Sequence, residues 1–229
     1  MKIKFSILSS LIALALPLLM SSSAPGVGIF EGSNDVGCPL MRGSSAFDAA
    51  TGTYTLTGAG FNMWDLNDEY HMLWKKVSGN FSMSTKITFE GEGVNAHRKM
   101  GIIIRESLEG NSECAYVTVH GDGLTSLQYR EEAGRLTREV VGPKGADHIY
   151  IERQGNKIIM KTATGRFPEA ITGEIEFDLA PTCYVGLFIC SHDVNVVEKG
   201  YFTEVQYTKL ADPQPVRRRP GGQTGQPRQ

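Results

Sequence analysis

Short runs in which apolar and polar residues alternate fill this sequence, and no sustained helical period interrupts them. GTYTLTGAG, HMLWKKV, FSMSTKITFE, RKMGIIIRE, CAYVTVH and LTSLQYR follow one another from residue 52 to residue 130. LTREVV, HIYIERQ, KIIMKTA, GEIEFDL, CYVGLFIC and YFTEVQYTKL continue the series to residue 210. Alternation at period two turns one side of each run toward a core and the other toward solvent. The separators are Gly, Asn, Asp and Pro clusters, such as Gln154-Gly155-Asn156, which supply turns. Strands at this spacing predict an all-β chain, an antiparallel two-sheet β-sandwich or a barrel. A single turn of helix is expected near residues 64–69. The absence of an internal repeat excludes propellers and solenoids. One domain over residues 25–210 accounts for every run.

The two ends read differently. Residues 1–24 join Lys2 and Lys4 to an apolar stretch from Phe5 to Met20 and then to small residues, the pattern of a secretory signal peptide. That stretch falls short of the roughly 20 residues that cross a bilayer, so no membrane span is expected. No cysteine stands near the cleavage region, which argues against a lipid anchor. Residues 211–229, rich in Pro, Gly, Gln and Arg, read as a disordered tail. Between these ends lie 17 basic and 24 acidic residues, a net charge of −7. Nucleic-acid binding rests on phosphate neutralisation, so this balance excludes it. A secreted, periplasmic or envelope location permits disulfides. Yet Cys183 and Cys190, seven apart on one strand, face opposite ways and cannot pair. With no C-x-x-C spacing, Cys38, Cys114, Cys183 and Cys190 read as buried free thiols without structural zinc.

The run TGTYTLTGAGFNMWDLNDEYHMLWKKVSGNFSMSTKITF carries a Gly-x-Gly-x-x-x-Trp turn, an acidic-aromatic strand and a Gly-Asn-Phe strand. With GIIIRESLEGNSECAYVTVHGDGLTSLQYR and VGLFICSHD, it resembles the concanavalin A-like lectin/glucanase domains of secreted bacterial proteins. It is closest to the module that precedes TolB-like propellers and more distantly similar to the 3-keto-glycoside hydrolase family. The resemblance covers nearly the whole domain and implies a jelly roll, whose concave sheet face is where a ligand would lie.

Face parity shows what such a surface would carry. VTVHGDGLTSLQYR reads as a hairpin with a glycine turn; one face bears Val117, Val119, Leu127 and Tyr129, the other Thr118, His120, Ser126, Gln128 and Arg130. In HRKMGIIIRE, His97, Lys99 and Arg105 share a face opposite Ile102 and Ile104. If these strands are neighbours, His97, Lys99, Arg105, His120, Gln128 and Arg130 form a polar, basic groove able to bind hydroxyls or carboxylates. The alternative is a solvated outer face on which His120 caps a turn. Trp64, beside Asp65, Asp68 and Glu69, suits stacking on a sugar ring, whereas Tyr70, Met72 and Trp74 alternate as core. No cofactor is expected; the three acids give only a weak calcium pattern. His192 and Asp193, in Ser191–Asn195 after a buried strand, stand where sandwich loops place function, and His148 reads as structural.

Catalysis stays open on these residues. Jelly-roll glucanases place Glu-x-Asp-x-x-Glu on one strand, and here Glu176-Phe177-Asp178-Leu179-Ala180-Pro181 lacks the last acid. Polysaccharide lyases use Arg, Gln, His and Tyr to neutralise a uronate and remove the adjacent proton. Arg105, His120 and Gln128 match those types as catalytic candidates, but not the spacing. No G-x-S-x-G elbow is present, so the sequence gives no sign of a Ser-His-Asp triad. The reading is a secreted jelly roll that binds a carbohydrate or related polyhydroxylated ligand. The alternatives are a glycan-active hydrolase or lyase, and a protein-interaction module in an envelope assembly.

Overall fold

The computed structural model describes residues 27–211, so the expected signal segment 1–24 and the tail beyond residue 211 lie outside the described residues. Fourteen strands follow in chain order: β1 (Gly32–Val36), β2 (Ser44–Asp48), β3 (Thr53–Gly60), β4 (Tyr70–Ser78), β5 (Phe81–Phe89), β6 (Lys99–Arg105) and β7 (Cys114–His120). Then come β8 (Thr125–Arg130), β9 (Arg138–Val141), β10 (His148–Gln154), β11 (Lys157–Ala163), β12 (Gly173–Glu176), β13 (Thr182–Cys190) and β14 (Asp193–Lys209). They form two seven-stranded sheets, β1-β4-β13-β6-β7-β8-β9 and β12-β11-β10-β5-β14-β3-β2. Every pairing is antiparallel. Residues 64–69, expected to make a helical turn, form bends over 64–67 and irregular chain at 68–69. Their backbone is drawn off to loop and side-chain partners, which leaves no helical ladder. Among the described residues no helix is long and apolar enough to cross a membrane.

The alternating runs pack as their period demands. Leu73, Ile102, Ile104, Val117, Leu127, Val185 and Leu187 of the first sheet meet Leu56, Ile149, Ile151, Ile158 and Phe202 of the second. Burying each such side chain contributes about 1.5–3 kcal/mol. The opposite face of the first sheet is buried as well. There Tyr70, Met72, Ile103, Tyr116 and Phe188 join Val36 and Met63 in a second apolar cluster. Phe188 meets the Tyr70 and Tyr116 rings edge-on, with centroids 5.7 and 5.6 Å apart. Edge-to-face aromatic pairs add about 0.5–1.5 kcal/mol beyond area burial. Cys183 belongs to the first cluster and Cys190 to the second, as their odd spacing requires. Cys38, by contrast, is exposed, because it lies in the loop after β1 rather than on a strand.

Candidate ligand-binding site

The loop 61–69 decides what stays accessible on that outer face. It is tied down along its whole length. Asn62 Oδ1 accepts a bond from Lys99 Nζ at 3.0 Å, and the Tyr116 hydroxyl donates to the Met63 carbonyl. Thr137 N donates to the Trp64 carbonyl at 3.1 Å. At the far end Asp68 is fully buried between two arginines. Arg130 grips its carboxylate with two bonds of 2.6 and 2.9 Å, and Arg105 Nη1 stands 3.5 Å away.

Both arginines are spent on structure. Arg105 donates to the carbonyls of Ser107 and Glu109 and to the Tyr70 hydroxyl. Arg130 donates to the carbonyls of Asp65 (2.9 Å), Ser112 (3.1 Å) and Arg135 (2.9 Å). Two guanidiniums face one carboxylate, and the carbonyl dipoles take up the remaining positive charge. Burial pushes the neighbouring Cys114 thiol up to about 12, so it stays protonated and adds no negative charge. Arg105 and Arg130 share the expected face, but with no exposed surface they lock three loops together instead of lining a groove.

At the other end of the strands a pocket of about 270 Å³ remains open. Its walls are Lys99, His120 and Gln128 from β6, β7 and β8, Glu139 from β9, and Asn62, Trp64, His97, Leu124 and His192 from the surrounding loops. Lys99 and His120 are direct partners across β6 and β7, and Gln128 is paired with Glu139 across β8 and β9. The His97 ring lies between the other two, with centroids 5.9 Å from His120 and 5.6 Å from His192.

Burial sets the charge of this pocket. His120 Nδ1 lies 3.0 Å from the Leu124 carbonyl, and a carbonyl only accepts, so Nδ1 carries the hydrogen and Nε2 keeps its lone pair. Burial first and the Lys99 charge second push His120 down to about 4. Burial, then Lys99 and His97, lower His192 too. Burial also lowers Lys99, against the pull of nearby acids. Of the buried atoms in the pocket wall, Gln128 Oε1 and His192 Nδ1 have no hydrogen-bond partner among the described residues. The Gln128 amide is oriented by Nε2, which donates to Ser126 Oγ at 3.1 Å and Glu139 Oε2 at 3.3 Å.

No protein-family model matches the chain, and no curated protein does. Among solved structures it is similar to a functionally unknown protein from Saccharomyces cerevisiae, with TM-score 0.56, 14% identity, and coverage of 76% of this chain and 100% of that one. A GH43 protein from Bacillus licheniformis matches with TM-score 0.50 and 14% identity over 69% of this chain, which spans only 33% of that protein. A Bacillus licheniformis beta-glucanase matches with TM-score 0.46 and 11% identity over 83% of this chain and 95% of that one. Two stacked seven-stranded antiparallel sheets decide the architecture. The fold is a two-sheet antiparallel β-sandwich of jelly-roll type.

Within this jelly roll, His97, Lys99, His120, Gln128, Trp64 and His192 come together around the pocket. Glu69 does not line it; its Oε2 accepts from Phe61 N at 3.1 Å and closes the 61–69 loop. Asp193 turns away to accept from Asn195 N at 2.9 Å, so it does not orient His192. Asn62, Leu124 and Glu139 are pocket residues that the sequence did not single out. Glu139 had a usable signal, since it lies opposite Gln128 once β8 and β9 pair; Asn62, in an aperiodic loop, had none. Among the described residues no cluster of three or more His, Cys, Asp or Glu is placed to hold a metal ion. Asp68, one of the acids considered for calcium, has its carboxylate occupied by Arg130 and Arg105.

Proposed function

We propose that this protein is a secreted jelly-roll domain that binds a carbohydrate or related polyhydroxylated ligand in the pocket around Lys99, His120 and Gln128. The observation that carries this reading is the pocket's mixture of donors and acceptors with bonding capacity to spare beneath a partly exposed tryptophan. Gln128 Oε1 and the Glu139 carboxylate can only accept, while the Lys99 ammonium donates with the protons that Asn62 leaves free. A hydroxyl both donates and accepts and so answers both kinds of group. An anion would answer only the donors and be repelled by Glu139. Trp64, 36% exposed at the rim, offers a flat apolar face to the C–H side of a sugar ring. A volume near 270 Å³ lies at the small end of ligand sites, the scale of one ring rather than several.

Glycan-array screening followed by calorimetry of the secreted protein tests this. Trp64→Ala and Gln128→Ala are each expected to weaken binding by about 1–3 kcal/mol, and Trp64→Ala, at an exposed position, to leave the melting temperature unchanged. Binding indifferent to both changes, or none to any glycan, would refute the proposal. His120 favours a second reading, a glycan-active enzyme. Its neutral ring presents Nε2 as a proton acceptor at neutral pH. Turnover of a uronate polymer or 3-keto-glycoside that falls about 10²–10⁴-fold in His120→Ala, while affinity persists, would establish that reading instead.

A further inference from the structure

A second constellation lies outside the pocket, on the side of the sandwich where β1 and β2 approach each other. His71 Nδ1 stands 2.8 Å from Asp35 Oδ1, so the ring donates there and leaves Nε2 as an acceptor. Nε2 is 2.9 Å from Ser33 Oγ and 2.9 Å from Ser45 Oγ, and the two hydroxyls are 3.0 Å apart. Carboxylate, imidazole and hydroxyl thus follow one another at the distances of a nucleophilic relay. Such a relay is defined by geometry and roles rather than by sequence order, so the missing G-x-S-x-G motif does not exclude it.

The surroundings hold this geometry in place. The His71 side chain is 4% exposed and that of Asp35 23%, while Ser33 is open to solvent. A Cβ at Gly43 would fall 2.3 Å from His71 Nδ1, and one at Gly58 would fall 2.8 Å from its Cβ. Only glycine lets both backbones close on the ring. Gly43 N also donates to Asp35 Oδ1 at 3.0 Å, fixing the carboxylate that fixes the ring. Just before Gly43, Leu40 and Met41 are exposed and offer apolar surface to an acyl or aryl group.

We infer that Ser33, His71 and Asp35 form an esterase-type site, with Ser33 the nucleophile toward small carboxylic esters. Ser33 Oγ bonds to the ester carbonyl carbon as its proton passes to His71 Nε2. The carbon–oxygen bond to the alcohol then breaks, and that oxygen takes the proton from Nε2. A water that gives its proton to Nε2 attacks the acyl carbon, and the Oγ–carbon bond breaks as Nε2 returns that proton to Oγ, which releases the acid and restores the serine and the neutral ring. Asp35 is a positioning residue that holds the ring in the required tautomer. Burial lowers His71 from its usual range against the opposing pull of Asp35, the charged group it faces, so the ring is neutral near pH 7.

The test treats the full-length protein with a fluorophosphonate, in which the Oγ–phosphorus bond forms and fluoride leaves, and maps the adduct by mass spectrometry. A p-nitrophenyl acetate assay runs in parallel. The expected adduct lies on Ser33 and is absent in Ser33→Ala. Asp35→Asn should slow labelling and hydrolysis about 10²–10⁴-fold and move the pH midpoint of labelling lower. Ile171→Ala, at an exposed position in neither site, should leave both unchanged. No adduct on Ser33, an adduct on Ser45 instead, or an Asp35→Asn rate equal to wild type would overturn the inference. Ser33 is exposed, so Ser33→Ala keeps the test decisive even if Asp35→Asn fails to fold.

Discussion

Asp68→Ala is expected to lower the unfolding free energy by about 3–5 kcal/mol, because it strands two buried guanidiniums. For a domain of this size that corresponds to a fall of about 6–20 °C in melting temperature. Neither Arg105 nor Arg130 has exposed surface on which to be rehydrated without moving the loops. Replacing the arginines with apolar residues as well should not restore stability. Arg105 also satisfies the carbonyls of Ser107 and Glu109, and Arg130 those of Asp65, Ser112 and Arg135. Those oxygens would then be buried without donors, at about 1–3 kcal/mol for each group left so. A melting temperature for Asp68→Ala within about two degrees of wild type would contradict this account.

Acid should destabilise the domain through the pocket histidines. His120 titrates near 4 in the folded chain against a usual 6.5, so between these values the unfolded chain binds more protons. Stability therefore falls as pH drops through that window, by about 3 kcal/mol for this group once pH is below 4. His192, lowered in the same direction, adds to the slope. Urea unfolding from pH 7 to 4 should show a shallower loss in His120→Gln than in wild type. The acid groups that also titrate in the lower part of this range are common to both proteins and drop out of the comparison. Parallel curves would mean that His120 is protonated in the fold at little cost, contrary to its burial.

The sequence made most of the architecture legible wherever a strand had a buried side. β3 to β13 follow the alternating runs closely because each hides alternate residues in the core. β1 and β2 were missed for the same physical reason. Both pair on one edge only, and GSNDV and SSAFD keep so much exposed surface that no alternation is imposed on them. That omission also hid Asp35, Ser33 and Ser45, which only the tertiary fold brings to His71. On the outer face, parity correctly aligned Lys99, Arg105, His120, Gln128 and Arg130, but parity cannot report depth. Asp68 is what sends Arg105 and Arg130 inward, and its place depends on a loop without periodicity.

The buried cluster of Met63, Tyr116 and Phe188 also sets the direction from which a ligand can come. A polymer laid lengthwise along the first sheet would need the space that these side chains and the 61–69 loop already fill. What remains is a socket at one extremity of β6 and β7. It admits a terminal unit and leaves the rest of any chain in solvent. On the proposed reading an oligosaccharide would be met by its tip, and shortening it from the far end would hardly change how it is held.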